Sequence, residues 1–239
     1  MAKLANFSIS LRVLSRLLSY PDSAVRDDLD DMRSALQAER ALTHARKEEL
    51  ISLIQHLKAG NPLDNESQYV ELFDRGRSTS LHLFEHVHGD SRDRGPAMID
   101  LQQTYEKAGL LLAPGELPDY LPALLEFVST QPSAEARSFL SEMAHIFTVI
   151  FSALQKRRSP YASALGALLE LAGEKAQAVA IAPDEPIDVS WEEPVVFDGC
   201  SSKGQGKSNS SGQPQPLHFV RTEASSQNTK VSAHSGASL

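Results

Sequence analysis

Residues 133–172 read SAEARSFLSEMAHIFTVIFSALQKRRSPYASALGALLELA, and this stretch decides the fold class. Its apolar residues recur at spacings of three and four, which places them on one face of a helix that packs against a core. Ser159-Pro160 interrupts the pattern, which resumes at Leu165. We therefore predict a long helix capped by Ser133 and a second helix after the proline. The inward positions of the long helix are Leu140, Met143, Phe147, Ile150, Phe151 and Leu154.

The same spacing extends toward the N-terminus as far as Ser8, with clear signals where helices start and stop. Asp22 and Thr43 are placed to cap helices, and Gly60 is placed to end one in the left-handed conformation. Alternation of apolar and polar residues over the length of a strand does not occur between these signals. The sequence therefore predicts an all-α fold, a single helical bundle of about eight to nine helices within residues 1–182.

The composition changes after the predicted bundle. Residues 183–198 form an acidic, proline-containing segment, and residues 199–239 form a tail rich in Ser and Gly, which we predict to be disordered. The acidic segment also carries Trp191, the one tryptophan of the chain, together with several aliphatic residues. Two interpretations stay open for this segment. It lies along its own bundle as a strap, or it docks on a partner or covers a groove.

Composition and charge exclude several classes of function. The chain of 239 residues has a net charge of −8, which would repel nucleic acid. No apolar run approaches the roughly 18 residues of a membrane span, and the apolar stretch within Met1 to Ser10 is too short for a signal peptide. We therefore expect a cytoplasmic location without membrane insertion. Cys200 is the single cysteine, so one chain cannot build a disulfide or a multi-thiolate metal site.

Unusual residues are densest over residues 69–94, which read YVELFDRGRSTSLHLFEHVHGDSRDR. His82 and His86 stand one helical turn apart, and His88 and Asp90 follow closely, so a metal site is the best enzymatic hypothesis. The spacing does not complete the His-Glu-x-x-His pattern of a zinc helix. The alternative is that the imidazoles hydrogen-bond carbonyls or carboxylates at helix ends. We expect no bound metal.

Arginines and acids alternate around the same stretch, and they predict a structural clamp rather than catalysis. Guanidinium groups can tie the carboxylates and carbonyls of two loops together. The sequence lacks the serine nucleophile elbow, the phosphate-binding loop and the dinucleotide fingerprint, so no catalytic residue is assigned. The residues of this motif are Asp74, Arg75, Arg77, Arg92 and Arg94.

Four short motifs together resemble the signature of the NarJ-type assembly chaperones of nitrate reductase. They are Phe73-Asp74-Arg75, residues 80–90 (SLHLFEHVHGD), Arg92-x-Arg94-Gly95 and the turn 117–122 (LPDYLP). A looser likeness covers residues 8–173. The resemblance implies the all-α fold of redox-enzyme maturation chaperones, no catalysis, and binding to the apo catalytic subunit of respiratory nitrate reductase through the N-terminal segment of that subunit.

The resemblance further implies that the client is held while molybdenum cofactor and an iron–sulfur cluster are inserted, before membrane anchoring. No cofactor would be bound permanently, because both groups belong to the client. Proteins of molybdenum cofactor biosynthesis are a further candidate partner. Two other hypotheses remain: a metal-dependent enzyme that uses His82, His86 and His88, and a permanent accessory subunit of an oxidoreductase.

An amphipathic client helix could lay its apolar face in a groove of the bundle, with acids around the rim. Ordinary core packing is the alternative for each aromatic residue. The aromatic candidates for client binding are Tyr69, Phe73, Phe84, Tyr105, Tyr120 and Phe127. The polar candidates are Glu85, His86, His88, Asp90 and Asp119, with Glu85, Asp90 and Asp119 expected as exposed rim acids.

Overall fold

Every regular element in the structure, a computed structural model that describes residues 6–89 and 91–180, is helical. A π-helical turn (Val70–Asp74) and a 3₁₀ turn (Arg77–Thr79) lie between α5 and α6. The all-α prediction is confirmed. The α-helices within the described ranges are α1 (Ser8–Leu18), α2 (Ser23–Asp27), α3 (Leu29–Ala38), α4 (His44–Ala59), α5 (Pro62–Tyr69), α6 (Leu83–Val87), α7 (Arg94–Lys107), α8 (Leu121–Ser129), α9 (Ser133–Glu142), α10 (Ala144–Lys156) and α11 (Ala162–Ala172).

Of the four helix-end signals, Asp22 and Thr43 act as the sequence indicates. Asp22 accepts the Val25 N–H at 2.9 Å, and Thr43 accepts the Arg46 N–H at 3.4 Å.

The expectation that Ser133 caps the helix is wrong, because Ser133 is the first residue of α9 and follows Pro132, whose side chain makes no capping hydrogen bond. The expectation of a left-handed Gly60 is wrong, because its φ is −73°. A Cβ at Gly60 would lie 2.5 Å from Asn65 Oδ1. The glycine therefore leaves space for the side chain of Asn65, which lies in α5, to pack against the end of α4.

The described residues contain eleven α-helices rather than eight or nine, because two predicted helices are broken. The helix expected after Asp22 divides at Asp28 into α2 and α3, and the long helix expected after Ser133 divides at Met143 into α9 and α10. The apolar spacing runs through both breaks because the two halves face the same core. The helix α4, with 16 residues, is consequently longer than either half.

The core is centred on α1, α8, α10 and α11. The helices α10 and α11 form an antiparallel hairpin, and all residues of α11 except Glu170 are buried. Serine hydroxyls join α1 to α8: Ser8 Oγ donates to the Ser129 carbonyl at 2.6 Å, and Ser15 Oγ donates to the Pro122 carbonyl at 2.8 Å. These two bonds show that α1 and α8 also run antiparallel.

The helix α7 lies at the edge of this core. Within α7, all of which the structure describes, Tyr105 is the one buried residue. Ile99 on the same helix is 57% exposed. None of the described helices combines the length and the apolar character that crossing a bilayer requires. The predicted acidic segment 183–198 and the predicted disordered tail 199–239 lie outside the described residues.

Candidate functional site

Two of the four motifs of the chaperone-like signature are brought together by a short backbone pairing. The Leu121 N–H donates to the Leu81 carbonyl at 2.9 Å, and the Leu83 N–H donates to the Asp119 carbonyl at 3.1 Å. These bonds lie beside an isolated antiparallel bridge between His82 and Tyr120. The two motifs that are separated by α7 in the sequence, residues 80–90 and 117–122, are therefore neighbours in space.

Asp119 lies at the centre of this arrangement and is fully buried. Its Oδ2 accepts the backbone N–H of Phe84 at 3.1 Å, in the first turn of α6, where a negative charge is favourable. The expectation that Asp119 is an exposed rim acid is wrong, since the carboxylate is used inside the protein to hold α6. A carboxylate can be buried at this position because donors and a cation surround it.

His82 and Arg94 complete the surroundings of the Asp119 carboxylate. The Nδ1 of His82 lies 3.4 Å from Oδ1, and the guanidinium of Arg94 lies 3.8 Å from Oδ2 and 3.5 Å from Glu85. The hydrogen bond to Asp119 raises the pKa of His82, while burial opposes that rise and the negative charge of Asp119 supports it. Arg94 thus connects α6 and α7 to the 117–122 turn.

The other predicted clamp residues do not share this position. Arg75 pairs with Glu71 one helical turn away at 3.0 Å, on the surface. Arg77 and Arg92 are exposed, and Asp74 is exposed at the edge of a cleft. The structure therefore brings Arg94 alone of the five motif residues to the buried carboxylate.

The three histidines point toward different partners. His86 Nε2 lies 2.9 Å from the Ser80 carbonyl, and the ring of His88 meets the ring of Phe84 edge to face at 5.3 Å between centroids. Within residues 6–89 and 91–180, no three His, Cys, Asp or Glu side chains are grouped as metal ligands would be. Asp90 lies outside the described residues.

An aromatic cleft of about 400 Å³ opens beside the bridge, and it contains three of the predicted client-binding residues. The hydroxyl of Tyr69 donates to the Leu18 carbonyl at 2.7 Å, so the 2.9 Å bond between Tyr69 and Tyr120 has Tyr120 as its donor. Burial raises the pKa of Tyr69, which keeps its proton. The side chains that line the aromatic cleft include Tyr20, Tyr69, Phe73, Leu81, His82, Leu117 and Tyr120.

A second depression, the apolar groove, has a volume of about 290 Å³. Phe84 lies in it, and Val87 at its edge is 52% exposed. Its walls come from α6, α7, α8, α9 and α10. Two acids, Asp119 and Glu142, also line it, the former buried and the latter exposed. Its apolar lining consists of Leu83, Phe84, Val87, Leu101, Leu124, Phe139, Met143 and Ile146.

Tyr105 and Phe127 belong to the core beneath the apolar groove rather than to its surface. Both side chains are buried, with ring centroids 4.9 Å apart, and the Tyr105 hydroxyl donates to the Pro118 carbonyl at 2.7 Å. Sequence reasoning missed Phe139 and Ile146 as groove residues. Their apolar spacing is the same as that of the core-facing residues of α9 and α10, so the sequence does not distinguish them. The break between these two helices at Met143 places both side chains at the opening of the groove.

Comparison with known proteins relates the chain to nitrate reductase assembly. Residues 22–166 match the family model described as nitrate reductase delta subunit. The chain is 42% identical over 198 residues to the Escherichia coli K12 protein named nitrate reductase molybdenum cofactor assembly chaperone NarJ, covering 79% of this chain and 84% of that protein. A Bacillus subtilis relative, named probable nitrate reductase molybdenum cofactor assembly chaperone NarJ, is 34% identical over 67% of this chain and 86% of its own length.

The fold also matches a solved structure. A redox enzyme maturation protein from Archaeoglobus fulgidus superposes with a TM-score of 0.53 over 73% of this chain and 98% of that one, at 20% sequence identity. At this identity the likeness concerns the fold alone. It agrees with the all-α bundle described above.

Proposed function

The chain belongs to the nitrate reductase delta subunit family, and we propose that it is a system-specific chaperone for the assembly of a nitrate reductase. The observation that carries this proposal is the 42% identity to Escherichia coli NarJ over most of both proteins. The client is the catalytic subunit of respiratory nitrate reductase in its apo form. The chaperone works in the cytoplasm and recognises the N-terminal segment of that subunit before membrane anchoring.

The apolar groove is the surface on which we place the client. A client helix with apolar residues on one face would cover Phe84, Val87 and Leu101, whose side chains are only partly buried or are exposed in the free protein. Removing such apolar surface from water favours binding by about 25 cal/mol per Å² before the costs of ordering. Glu142, exposed beside the groove, is suited to meet a basic residue of the client.

The aromatic cleft is a second candidate surface on the same side of the protein. Tyr120 and His82 are only partly buried there, and Tyr20 is 42% exposed. Phenolic and imidazole groups in a half-open cleft suit a polar segment of the client that needs hydrogen bonds. Tyr69 and Phe73, which are buried, support the cleft from below.

The relatives named above are chaperones of molybdenum cofactor assembly. We propose that molybdenum cofactor and the iron–sulfur cluster are inserted into the client while the chaperone holds it, and that both remain with the client. Proteins of molybdenum cofactor biosynthesis would then meet the chaperone–client complex. The chaperone binds and releases, and it catalyses no reaction of its own.

The two alternative functions make different demands on the protein. A metal-dependent enzyme needs His82, His86 and His88 to face one ion, whereas their rings have separate partners at Asp119, Ser80 and Phe84. A permanent accessory subunit needs a lasting interface with the finished enzyme. A chaperone instead separates from the mature complex.

Purification of the catalytic subunit from cells that lack molybdenum cofactor tests this function. We expect the tagged chaperone to be recovered with the apo subunit in an equimolar complex. After cofactor supply is restored, we expect the complex to dissociate and the mature enzyme to lack the chaperone. Recovery of the chaperone with the mature enzyme alone would instead support a permanent subunit.

A further inference from the structure

The helix α7 and the loop after it, together residues 91–117 and named here the α7 segment, leave the bundle between two points that are joined directly. The two backbone bonds beside the bridge between His82 and Tyr120 connect the chain before the α7 segment to the chain after it. The path of the core helices therefore does not depend on where the α7 segment lies. This segment can move while the bundle beneath it stays intact.

The polar contacts of the α7 segment with other parts of the chain all end at these joined points. Arg94 lies 3.5 Å from Glu85 and 3.8 Å from Asp119, and the Tyr105 hydroxyl donates to the Pro118 carbonyl at 2.7 Å. In the described parts of the chain, no side chain of the segment forms a hydrogen bond or ion pair with α1, α8, α10 or α11. Apolar contacts alone therefore hold the segment against the core helices.

These apolar contacts form a narrow strip along α7. Tyr105 is the buried residue of this helix, and Ala97, Met98 and Leu101 are half-buried. The ring of Tyr105 packs on the ring of Phe127 with centroids 4.9 Å apart. Burial of apolar surface is the main force that holds a helix to a core, and α7 buries little of it. We therefore infer that α7 is among the least stable of the described helices.

The two ends of α7 are attached differently. Arg94 holds the N-terminal end through its contacts with Glu85 and Asp119. The C-terminal end leads into a loop in which Gly109 has a φ of +80° and Gly115 a φ of +88°. A Cβ at either glycine would meet nothing within 4 Å, so open space surrounds the loop. Glycine tolerates large changes of the backbone angles. The C-terminal end of α7 is therefore the end that is free to move.

Apolar side chains lie beneath this free end and continue into the apolar groove. Phe127 is 7% exposed under Tyr105, and its ring also meets the ring of Phe139 at 6.1 Å between centroids. Phe139 lines the apolar groove, as does Leu101 on the inner side of α7. Lifting Tyr105 away from Phe127 would therefore extend the groove along the surface of α8.

We propose that α7 is a hinged cover of the apolar groove, which pivots at Arg94 and lifts its C-terminal end while the core stays folded. The structure shows the closed form. The open form adds Phe127 to the surface that the client helix covers, so binding of the client favours opening. The movement is a property of the free chain, whereas its coupling to the client rests on the proposed function.

Hydrogen exchange of the full chain, followed by mass spectrometry at increasing urea, tests the movement. A helix of 14 residues is marginal without tertiary packing, so the amides of α7 exchange when it leaves the core. We expect them to exchange about 100-fold or more faster than the amides of α10 and α11, with little dependence on urea. Exchange of all three helices at one rate, with the same urea dependence, would overturn the proposal.

Two replacements of tyrosine by phenylalanine test the contact at the free end. Tyr105→Phe removes the bond to Pro118 and keeps the ring, and we expect α7 to exchange about fivefold faster. Tyr161→Phe removes a buried hydroxyl that has no hydrogen-bond partner among the described residues, and it should leave the exchange of α7 unchanged. Equal exchange of α7 in the two variants would contradict closure by Tyr105.

A core variant shows whether α7 opens separately from the bundle. Ile150→Val loses packing in α10 that the closed and the open form share, so we expect α10 and α11 to exchange about fivefold faster and α7 to stay unchanged. If Ile150→Val also accelerated α7 fivefold, α7 would exchange only by unfolding of the whole bundle, and the cover would be excluded.

Calorimetry with a peptide copying the client N-terminus tests the coupling. Because the peptide binds the open form, Tyr105→Phe should bind it about fivefold more tightly, by the same factor as its opening increases, and Tyr161→Phe should bind like wild type. Weaker binding to Tyr105→Phe would mean that the client needs the closed form, which contradicts the coupling. A peptide that binds none of the three chains would contradict the proposed function, while hydrogen exchange still decides whether α7 opens.

Discussion

The carboxylate of Asp119 accepts the backbone N–H of Phe84 at 3.1 Å, although 35 residues separate the two in the chain. This bond fixes the start of α6 and thereby the position of the Phe84 ring in the apolar groove. Asp119 itself is completely buried. The acid therefore positions the aromatic ring that we propose to face the client, and its own burial leaves no exposed carboxylate for the client to contact.

Replacement of Asp119 should be costly for folding. In Asp119→Ala the Phe84 N–H, His82 and Arg94 lose their shared acceptor, and we expect the free energy of unfolding to fall by about 3 kcal/mol or more. Asp119→Asn keeps an acceptor for Phe84 and should lose less. Urea denaturation of both variants, with Asp100→Ala as an exposed control on α7, measures the difference. Equal stability of Asp119→Ala and Asp100→Ala would contradict the assigned role of the carboxylate.

The same carboxylate makes stability depend on pH through His82. Since the hydrogen bond to Asp119 raises the folded-state pKa of His82, the protonated ring stabilises the fold below the unfolded pKa of about 6.5. This contribution is lost as the pH rises through the folded pKa. We expect the stability difference between wild type and His82→Asn to be larger at about pH 5.5 than at about pH 9. A difference that grows with pH would mean that the folded-state pKa is lowered instead.

The histidines should hold no metal ion. His82, His86 and His88 each have a different partner, so metal analysis of the purified protein should find far less than one equivalent of zinc or iron. A chelator should leave the Tm unchanged. One equivalent of metal, lost in the triple alanine variant, would contradict this expectation and favour the metal-dependent enzyme instead.

Client binding should depend on the exposed edge of the apolar groove. Val87→Asp places a charge at a position that is 52% exposed, and we expect it to weaken binding of a peptide copying the client N-terminus by about 2 kcal/mol without lowering Tm. Leu63→Asp, at a position 73% exposed on α5, is the control and should bind normally. Calorimetry in which both variants bind like wild type would exclude the groove as the client site.

Local signals in the sequence predicted helices well, and the burial of individual polar residues poorly. Asp22 and Thr43 cap helices as expected because a cap depends on neighbours two or three residues away. Asp119 was expected at the surface, and its burial depends on Phe84, His82 and Arg94, all of which lie far from it in sequence. Long-range pairing of this kind leaves no periodic signal.

The residues of the apolar groove show that the sequence also does not indicate which apolar side chains are exposed. Apolar spacing identifies Met143 as inward-facing but does not indicate that the backbone breaks there and opens a depression beside Phe84. Residue type likewise did not indicate that Tyr105 is buried and that Val87 is exposed. Which apolar residues face a partner is decided by how α6, α7 and α10 are arranged around one another.

The most direct measurement of the central claim is the molybdenum content of nitrate reductase purified from a strain without this protein. We expect normal amounts of the catalytic subunit but little molybdenum cofactor and little activity, with both restored by the wild-type chain and by Leu63→Asp but not by Val87→Asp. A reductase with full cofactor content and activity in the deletion strain, in the absence of any second chaperone of the family, would contradict the account.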